Sequence, residues 1–168
     1  IAAEMQNHDG LMTAQDLADY QPTIREPVHG QYRGYDVYAM SPPSSGGAHI
    51  VQMLNMLEGY DIHAMGFNSA RTIHVMSEAM KRAYADRAEY LGDTDFVDVP
   101  LSGITSKAYA EELRQQIDID RATPSSEIAA GNPLPYESNE TTHFSIADDS
   151  GLAVSNTYTI NFSYGSGI

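Results

Sequence analysis

Between Thr141 and Asn161 the side chains alternate, and a period of two leaves a chain few options. Thr141, His143, Ser145, Ala147, Ala153, Ser155, Thr157, Thr159 and Asn161 are small or polar, whereas Phe144, Ile146, Leu152, Val154, Tyr158 and Ile160 are mostly apolar. Two strands therefore share one polar face and one core face. Asp148-Asp149-Ser150-Gly151 lies between them, and its glycine suits the left-handed position that closes a three-residue hairpin loop with a G1 bulge. Taking Asp149, Ser150 and Gly151 as that loop pairs Asp148 with Leu152. Counting back sets Thr141 opposite Thr159, with Asn161 one step further along the same face. A two-residue loop would slip the register and mix polar with apolar side chains on each face, so the alternation selects the longer turn.

A threonine that leads a strand on a polar face, with hydroxyl and amide groups nearby, fits an N-terminal nucleophile. Such a residue uses its own α-amine as general base, and the reference α-amino pKa of about 7.7 to 8.0 lies near a working pH. In an uncut chain that nitrogen is an amide and takes no proton at neutral pH. Cleavage between Glu140 and Thr141 would create base and catalyst together, through attack of the Thr141 hydroxyl on the Glu140 carbonyl, an ester intermediate and hydrolysis. The competing reading is structural: a Thr-rich face is also the ordinary solvated side of a sheet.

The balance of 9 Lys and Arg against 23 Asp and Glu gives a formal net charge of −14, whose field repels nucleic acid and anionic membranes. The absence of Cys removes disulfides, thiolate zinc sites and Cys nucleophiles. No apolar run reaches the length of a membrane span, and residues 1–168 contain no signal peptide. Ile1 opens on a helical pattern, and Gly165-Ser166-Gly167-Ile168 leads into a further apolar segment, so the sequence reads as a piece of a longer protein.

Upstream, residues 1–8 read as the end of a helix stopped by Asp9-Gly10, and Thr13 as the N-cap of a short helix reaching Tyr20. Val28 to Tyr32 and Tyr35 to Met40 form a hairpin around Arg33-Gly34. Ser41-Pro42-Pro43-Ser44-Ser45-Gly46-Gly47 is a loop before a helical pattern at Ile50, Met53, Leu54 and Leu57. Its glycines suit either an anion cradle or a tight approach of helix to strand, and the missing phosphate-loop Lys favours the second. The longest helix starts near Asn68 or Ser69, ends at Gly92, and carries a stripe of Ile73, Met76, Met80, Tyr84 and Leu91 expected to face the core. Lys81, Arg82, Asp86, Arg87 and Glu89 are expected mostly on other faces, solvated or paired at helical spacing, and His74 as a hydrogen-bonded structural residue. Asp93, Asp95 and Asp98 lack EF-hand spacing and read as a charged turn, not a calcium loop. A helix from Ser106 to Ile117 turns Tyr109, Leu113 and Ile117 inward, and residues 121–139 read as an extended polar connection awaiting cleavage or free to move after it.

The run Glu137-Ser138-Asn139-Glu140-Thr141-Thr142-His143-Phe144-Ser145, with Asn156-Thr157-Tyr158-Thr159-Ile160-Asn161 and Gly165-Ser166-Gly167, resembles the processing site and small-subunit start of bacterial γ-glutamyltranspeptidases. Pro42-Pro43-Ser44-Ser45-Gly46-Gly47, the segment Glu78 to Arg87 and Tyr90-Leu91-Gly92-Asp93 resemble the large subunit of the same family. Thr94 stands where relatives often have Pro. The resemblance implies an α+β fold, part of an αββα N-terminal-nucleophile hydrolase sandwich. It divides the chain into residues 1–140, the end of a large subunit, and 141–168, the first hairpin of a small subunit with which it forms a heterodimer after self-cleavage. It makes Thr141 the nucleophile, Thr159 the hydroxyl that interacts with it, and Asn161 part of the γ-glutamyl site. The expected reaction passes a γ-glutamyl group from glutathione or a related amide to water or an amino acid, with no cofactor and no metal. A periplasmic or secreted location is implied too. The family's substrate-carboxylate Arg and oxyanion glycines have no counterpart in residues 1–168, so these residues alone are expected to be inactive. Acylases acting on β-lactams, poly-γ-glutamate enzymes, and an uncut acidic module without catalysis are the alternatives.

Overall fold

The computed structural model describes residues 1–137 in full, and the backbone of strands at 141–147 and 153–159. Two short exposed helices come first, α1 (Ala2–Asn7) and α2 (Ala14–Asp19). Thr13 caps α2 as its sequence predicts: Asp16 N donates to Thr13 Oγ1 at 3.2 Å, and Thr13 N donates to Asp16 Oδ2 at 2.7 Å. Strands β1 (Val28–Tyr32) and β2 (Tyr35–Ala39) then form the expected antiparallel hairpin, with Tyr32 opposite Tyr35. Arg33 and Gly34 both take positive φ, 50° and 85°, which matches the twist of a two-residue turn.

Helix α3 (Ser45–Glu58) begins earlier than the loop signal suggested, so Gly46 and Gly47 sit in its first turn. Ser44 Oγ caps it by accepting from Gly46 N at 3.1 Å. A Cβ at Gly47 would lie 2.2 Å from the Met40 carbonyl oxygen, so the glycine lets the helix start against the end of β2. That is the packing role expected of this glycine. The apolar pattern also points differently from expectation. Ile50 is exposed and Met53, Leu54 and Leu57 are half-buried, while Ala48, Val51, Gln52 and Met56 are buried.

After α4 (Ile62–Met65) comes α5 (Ala70–Tyr90), capped by Ser69 Oγ, which accepts from Thr72 N at 3.1 Å. Its length matches the periodic reading, but among the described residues the opposite face is the one buried. Ile73, Met76, Met80 and Tyr84 are exposed, whereas Glu78, Ala79, Arg82, Ala83 and Asp86 are buried. The reason is steric as well as electrostatic. Ala79 and Ala83 let α5 approach its neighbours closely, and the charged residues on the same side find partners there. Helices α6 (Leu101–Thr105) and α7 (Lys107–Gln115) complete this part, and Tyr109, Leu113 and Ile117 turn inward as expected. The core lies between α3, α5 and α7, where Met56, Ala79, Ala83, Tyr109, Ala110 and Leu113 meet. Burying a side chain such as Met56 or Leu113 contributes about 1.5 to 3 kcal/mol.

Residues 118–137 contain short 3-10 turns at Ser125–Glu127 and Leu134–Tyr136. Strands β3 (Thr141–Ala147) and β4 (Ala153–Thr159) pair antiparallel in a second two-stranded sheet.

Candidate active site

The β3–β4 ladder runs Thr141↔Thr159, His143↔Thr157, Ser145↔Ser155 and Ala147↔Ala153. This is the register that the alternation selects. Thr141 is the first residue of β3 and Thr159 the last of β4, so the two threonines form the terminal pair of the ladder. Directly paired positions on antiparallel strands share a face at close range. Glu140, Asn161 and the loop around Gly151, all assigned roles from the sequence, lie outside the described residues.

Upstream of this hairpin, residues 121–137, part of the extended polar connection expected at 121–139, are tied to α5 and α6 by hydrogen bonds. Along α5, two clamps each grip both polar groups of one residue. At the first, Thr123 N donates to Glu78 Oε1 at 3.0 Å and the Thr123 carbonyl accepts from Lys81 Nζ at 2.5 Å. At the second, Gly131 N donates to Asp86 Oδ1 at 2.8 Å and the Gly131 carbonyl accepts from the Tyr90 hydroxyl at 2.8 Å. Glu78 and Asp86 are eight positions apart on the helix, about 12 Å along its axis. Thr123 and Gly131 are also eight apart, and fully extended they would span about 27 Å. The 3-10 turn at Ser125–Glu127 helps take up the difference.

Buried charge makes these clamps rigid. Glu78 Oε2 accepts from Arg82 Nη1 at 2.7 Å, and Lys81 Nζ lies 2.5 Å from Glu78 Oε1. Burial pushes the Glu78 carboxyl upward, but hydrogen bonds from Lys81, Arg82 and Thr123 N outweigh it and hold the group at about 2. Arg82 also donates through Nη2 to the Gln116 carbonyl at 2.7 Å, tying α5 to the end of α7. Asp86 is the second hub. Its Oδ2 accepts from Gln52 Nε2 at 2.5 Å and from the Tyr109 hydroxyl at 2.8 Å. Burial, then the adjacent Asp86 charge, drives the Tyr109 hydroxyl far above its ordinary range. Gln52 Oε1 in turn meets His49 Nδ1 at 2.8 Å, and burial holds that imidazole below its usual pKa.

The sequence reading missed Glu78, Arg82 and Asp86 because it sorted residues by polarity. The signal available was their spacing of four, one beside the other along the stripe that also carries Ala79 and Ala83.

His74 is a structural residue as expected, its Nε2 lying 2.8 Å from the Asp118 carbonyl. The acidic turn after α5 is organised by an arginine: Arg25 Nη2 contacts Asp93 Oδ1 at 3.1 Å and Asp95 Oδ2 at 2.7 Å, and Arg25 Nη1 donates to Thr94 Oγ1 at 2.9 Å. Thr94 thus has a defined partner. Among the described residues no group of His, Asp and Glu is arranged to hold a metal ion. An open cleft of about 870 Å³ lies between Arg25, the Met40–Ser44 loop and this turn, with Tyr38 and Phe96 on its walls.

These features can be set beside known proteins. The family model described as Gamma-glutamyltranspeptidase matches residues 1–168. The glutathione hydrolase proenzyme of Escherichia coli (strain K12) is 57% identical over 168 residues, covering 100% of this chain and 29% of that protein. Among solved structures, the gamma-glutamyltranspeptidase of Helicobacter pylori superposes with a TM-score of 0.72 at 47% identity, over 77% of this chain and 37% of the other. The cephalosporin acylase of Bacillus halodurans gives 0.67 at 29% identity, over 99% of this chain and 28% of the other. The chain spans less than a third of the length of the curated relative, 29%. Its α+β architecture is that of part of an N-terminal-nucleophile hydrolase.

Proposed function

This chain belongs to the gamma-glutamyltranspeptidase family, and from that premise we propose that it carries the processing site and nucleophile of a γ-glutamyl transferase or hydrolase. The scissile bond is Glu140–Thr141. The Thr141 hydroxyl attacks the Glu140 carbonyl carbon, the C–N bond breaks, and the nitrogen leaves as the α-amine of Thr141. Water then hydrolyses the ester, giving the Glu140 carboxylate and restoring the hydroxyl. Residues 1–140 end one subunit and 141–168 begin the other, and the two stay together as a heterodimer.

In turnover, the new α-amine takes the proton of the Thr141 hydroxyl as it attacks the γ-carbonyl of a γ-glutamyl amide such as glutathione. The amine or thiol-bearing peptide leaves, and water or an amino acid deacylates the γ-glutamyl ester. Thr159 interacts with the nucleophile and Asn161 contributes to the γ-glutamyl site. The relatives' proenzyme names favour synthesis as an inactive precursor, and export to the periplasm or beyond is part of the reading. No described helix is long and apolar enough to cross a membrane.

The observation that supports this reading is the terminal pairing of Thr141 with Thr159, which sets the two threonines opposite each other at the end of the ladder. Thr141→Ala in the full-length protein should abolish both subunit formation and turnover. Intact mass resolves one chain from two, and two subunits from that variant would sink the self-cleavage mechanism. A second reading is favoured by the likeness to a cephalosporin acylase across 99% of the chain: the same ester chemistry on another acyl group. Comparing kcat/KM for a γ-glutamyl anilide and an acylated β-lactam separates the two.

A further inference from the structure

The clamps on α5 grip the strap at Thr123 and Gly131, and a third contact lies closer to the hairpin. Glu137 Oε2 accepts from Gly103 N at 2.6 Å. Gly103 lies in the first turn of α6, whose N-cap, Pro100, supplies no side-chain hydrogen bond. An N–H group there has no carbonyl partner within its own helix. The Glu137 carboxylate supplies the missing acceptor from 34 residues away. Its neighbour Tyr136 is held by two bonds that fix the approach. The Tyr136 hydroxyl donates to Glu112 Oε2 at 2.7 Å, and Tyr136 N donates to the Pro133 carbonyl at 2.9 Å. Gly103 is needed for the fit: a Cβ there would lie 2.3 Å from the Pro133 carbonyl oxygen and 3.2 Å from Glu137 Oε2.

Thr141 lies four positions after Glu137, and that length of chain reaches at most about 14 Å. Self-attack by a hydroxyl on the preceding carbonyl depends on a near-attack geometry, in which small displacements cost large factors in rate. We propose that Glu137, held by Gly103 of α6, is a positioning residue for cleavage of the Glu140–Thr141 bond: it fixes the strap beside the bond that must break. The proposal rests on the self-cleavage reading above. Once the bond is cut, Glu137 belongs to the end of a different subunit from the nucleophile, and its influence on later turnover ends.

The test follows subunit formation in the full-length protein over time, with melting temperature and the kinetics of fully matured enzyme measured in parallel. Glu137→Ala should slow cleavage about tenfold or more while leaving the melting temperature within a few degrees, about 4 °C, and the matured enzyme's kcat and KM at parental values. Glu137→Gln retains a carbonyl oxygen for Gly103 N–H and should cleave within about threefold of the parent. Gly103→Ala disturbs the same contact from the other side and also presses on the Pro133 carbonyl, so it should slow cleavage at least as much, with the double variant little slower than Gly103→Ala alone. Parental cleavage by Glu137→Ala, with Thr141→Ala uncut, would overturn the positioning role alone. So would a matured Glu137→Ala enzyme whose turnover falls in step with its cleavage rate. Subunits formed by Thr141→Ala would instead overturn the self-cleavage reading on which the role depends.

Discussion

The β3–β4 hairpin and helix α5 are both strongly periodic, yet the same method read one and inverted the other. In the hairpin, alternation fixed which residues share a face, the turn fixed the count, and Thr141 pairs with Thr159. In α5, the apolar stripe was expected inside, but Ile73 is 51% and Tyr84 57% exposed, while Glu78 and Asp86 are 1% and 0%. Periodicity says which residues lie together; it does not say which way they point. A hairpin pairs with itself, so its register needs no third element. The direction of a helix face depends on what waits opposite. For α5 that is a strap with backbone groups to satisfy, together with Gln52 and Tyr109, which donate to Asp86.

The largest effect that would break this contrast comes from emptying the first clamp. Glu78→Ala leaves Arg82 and Lys81 without their carboxylate and Thr123 N without its acceptor. Losing one partner of a buried pair typically costs about 3 to 5 kcal/mol, far more than the pair itself contributes over an apolar replacement. Urea unfolding should register that loss, and Glu78→Gln, which keeps the shape and one acceptor, should lose clearly less. A cost below about 1 kcal/mol for Glu78→Ala would mean that this face behaves as a solvated one.

The same residue gives the next effect through pH. Its carboxyl sits at about 2 in the fold, below an ordinary value of 4.5, so the unfolded chain binds the proton more readily. The stabilisation is therefore complete above about 4.5 and fades as pH falls towards 2, amounting to about 3 kcal/mol across that window. His49 acts earlier: its lowered pKa means that stability begins to fall as pH drops through its ordinary 6.5. Unfolding followed from pH 7 to 2.5 should show both regions, and Glu78→Gln should flatten only the lower one. A variant whose profile still parallels the parent below pH 4.5 would remove Glu78 from the account.

How much could be read without coordinates follows from the same distinction. Local rules worked where the deciding partner was near in sequence. Thr13, read as an N-cap, caps α2 with Asp16, and Arg33-Gly34 turned its hairpin. Family resemblance worked for the whole chain because a motif records a fold without needing its contacts. What escaped was set by residues far apart: Arg25 with Asp93 and Asp95, Asp86 with Gly131, Glu137 with Gly103. Each is a polar group answered by another roughly 34 to 70 positions away. Composition along a window carries no trace of such a partner. The local hints were the four-residue spacing of Glu78, Arg82 and Asp86 and the alanines at 79 and 83 beside them, since small residues beside charged ones mark a face that comes close to something.

The smallest effect sharpens the comparison within two adjacent residues of α5. Ala79 has no exposed surface and packs against Met56, Tyr109 and Leu113, whereas Met80 is 45% exposed. By side-chain type the order would be reversed, with methionine inside and alanine tolerant of change. Ala79→Leu pushes methylenes into a closed contact and should cost about 1 to 3 kcal/mol in the 168-residue chain, because neither α3 nor α7 can yield without moving its own buried side chains. Met80→Gln exchanges one flexible unbranched side chain for another of similar length at a position already reached by water, and both residues favour helix nearly equally. Its effect on the urea midpoint should correspond to no more than about 0.5 kcal/mol. A larger loss at Met80 than at Ala79 would restore the apolar stripe to the inside and undo the orientation on which both clamps depend.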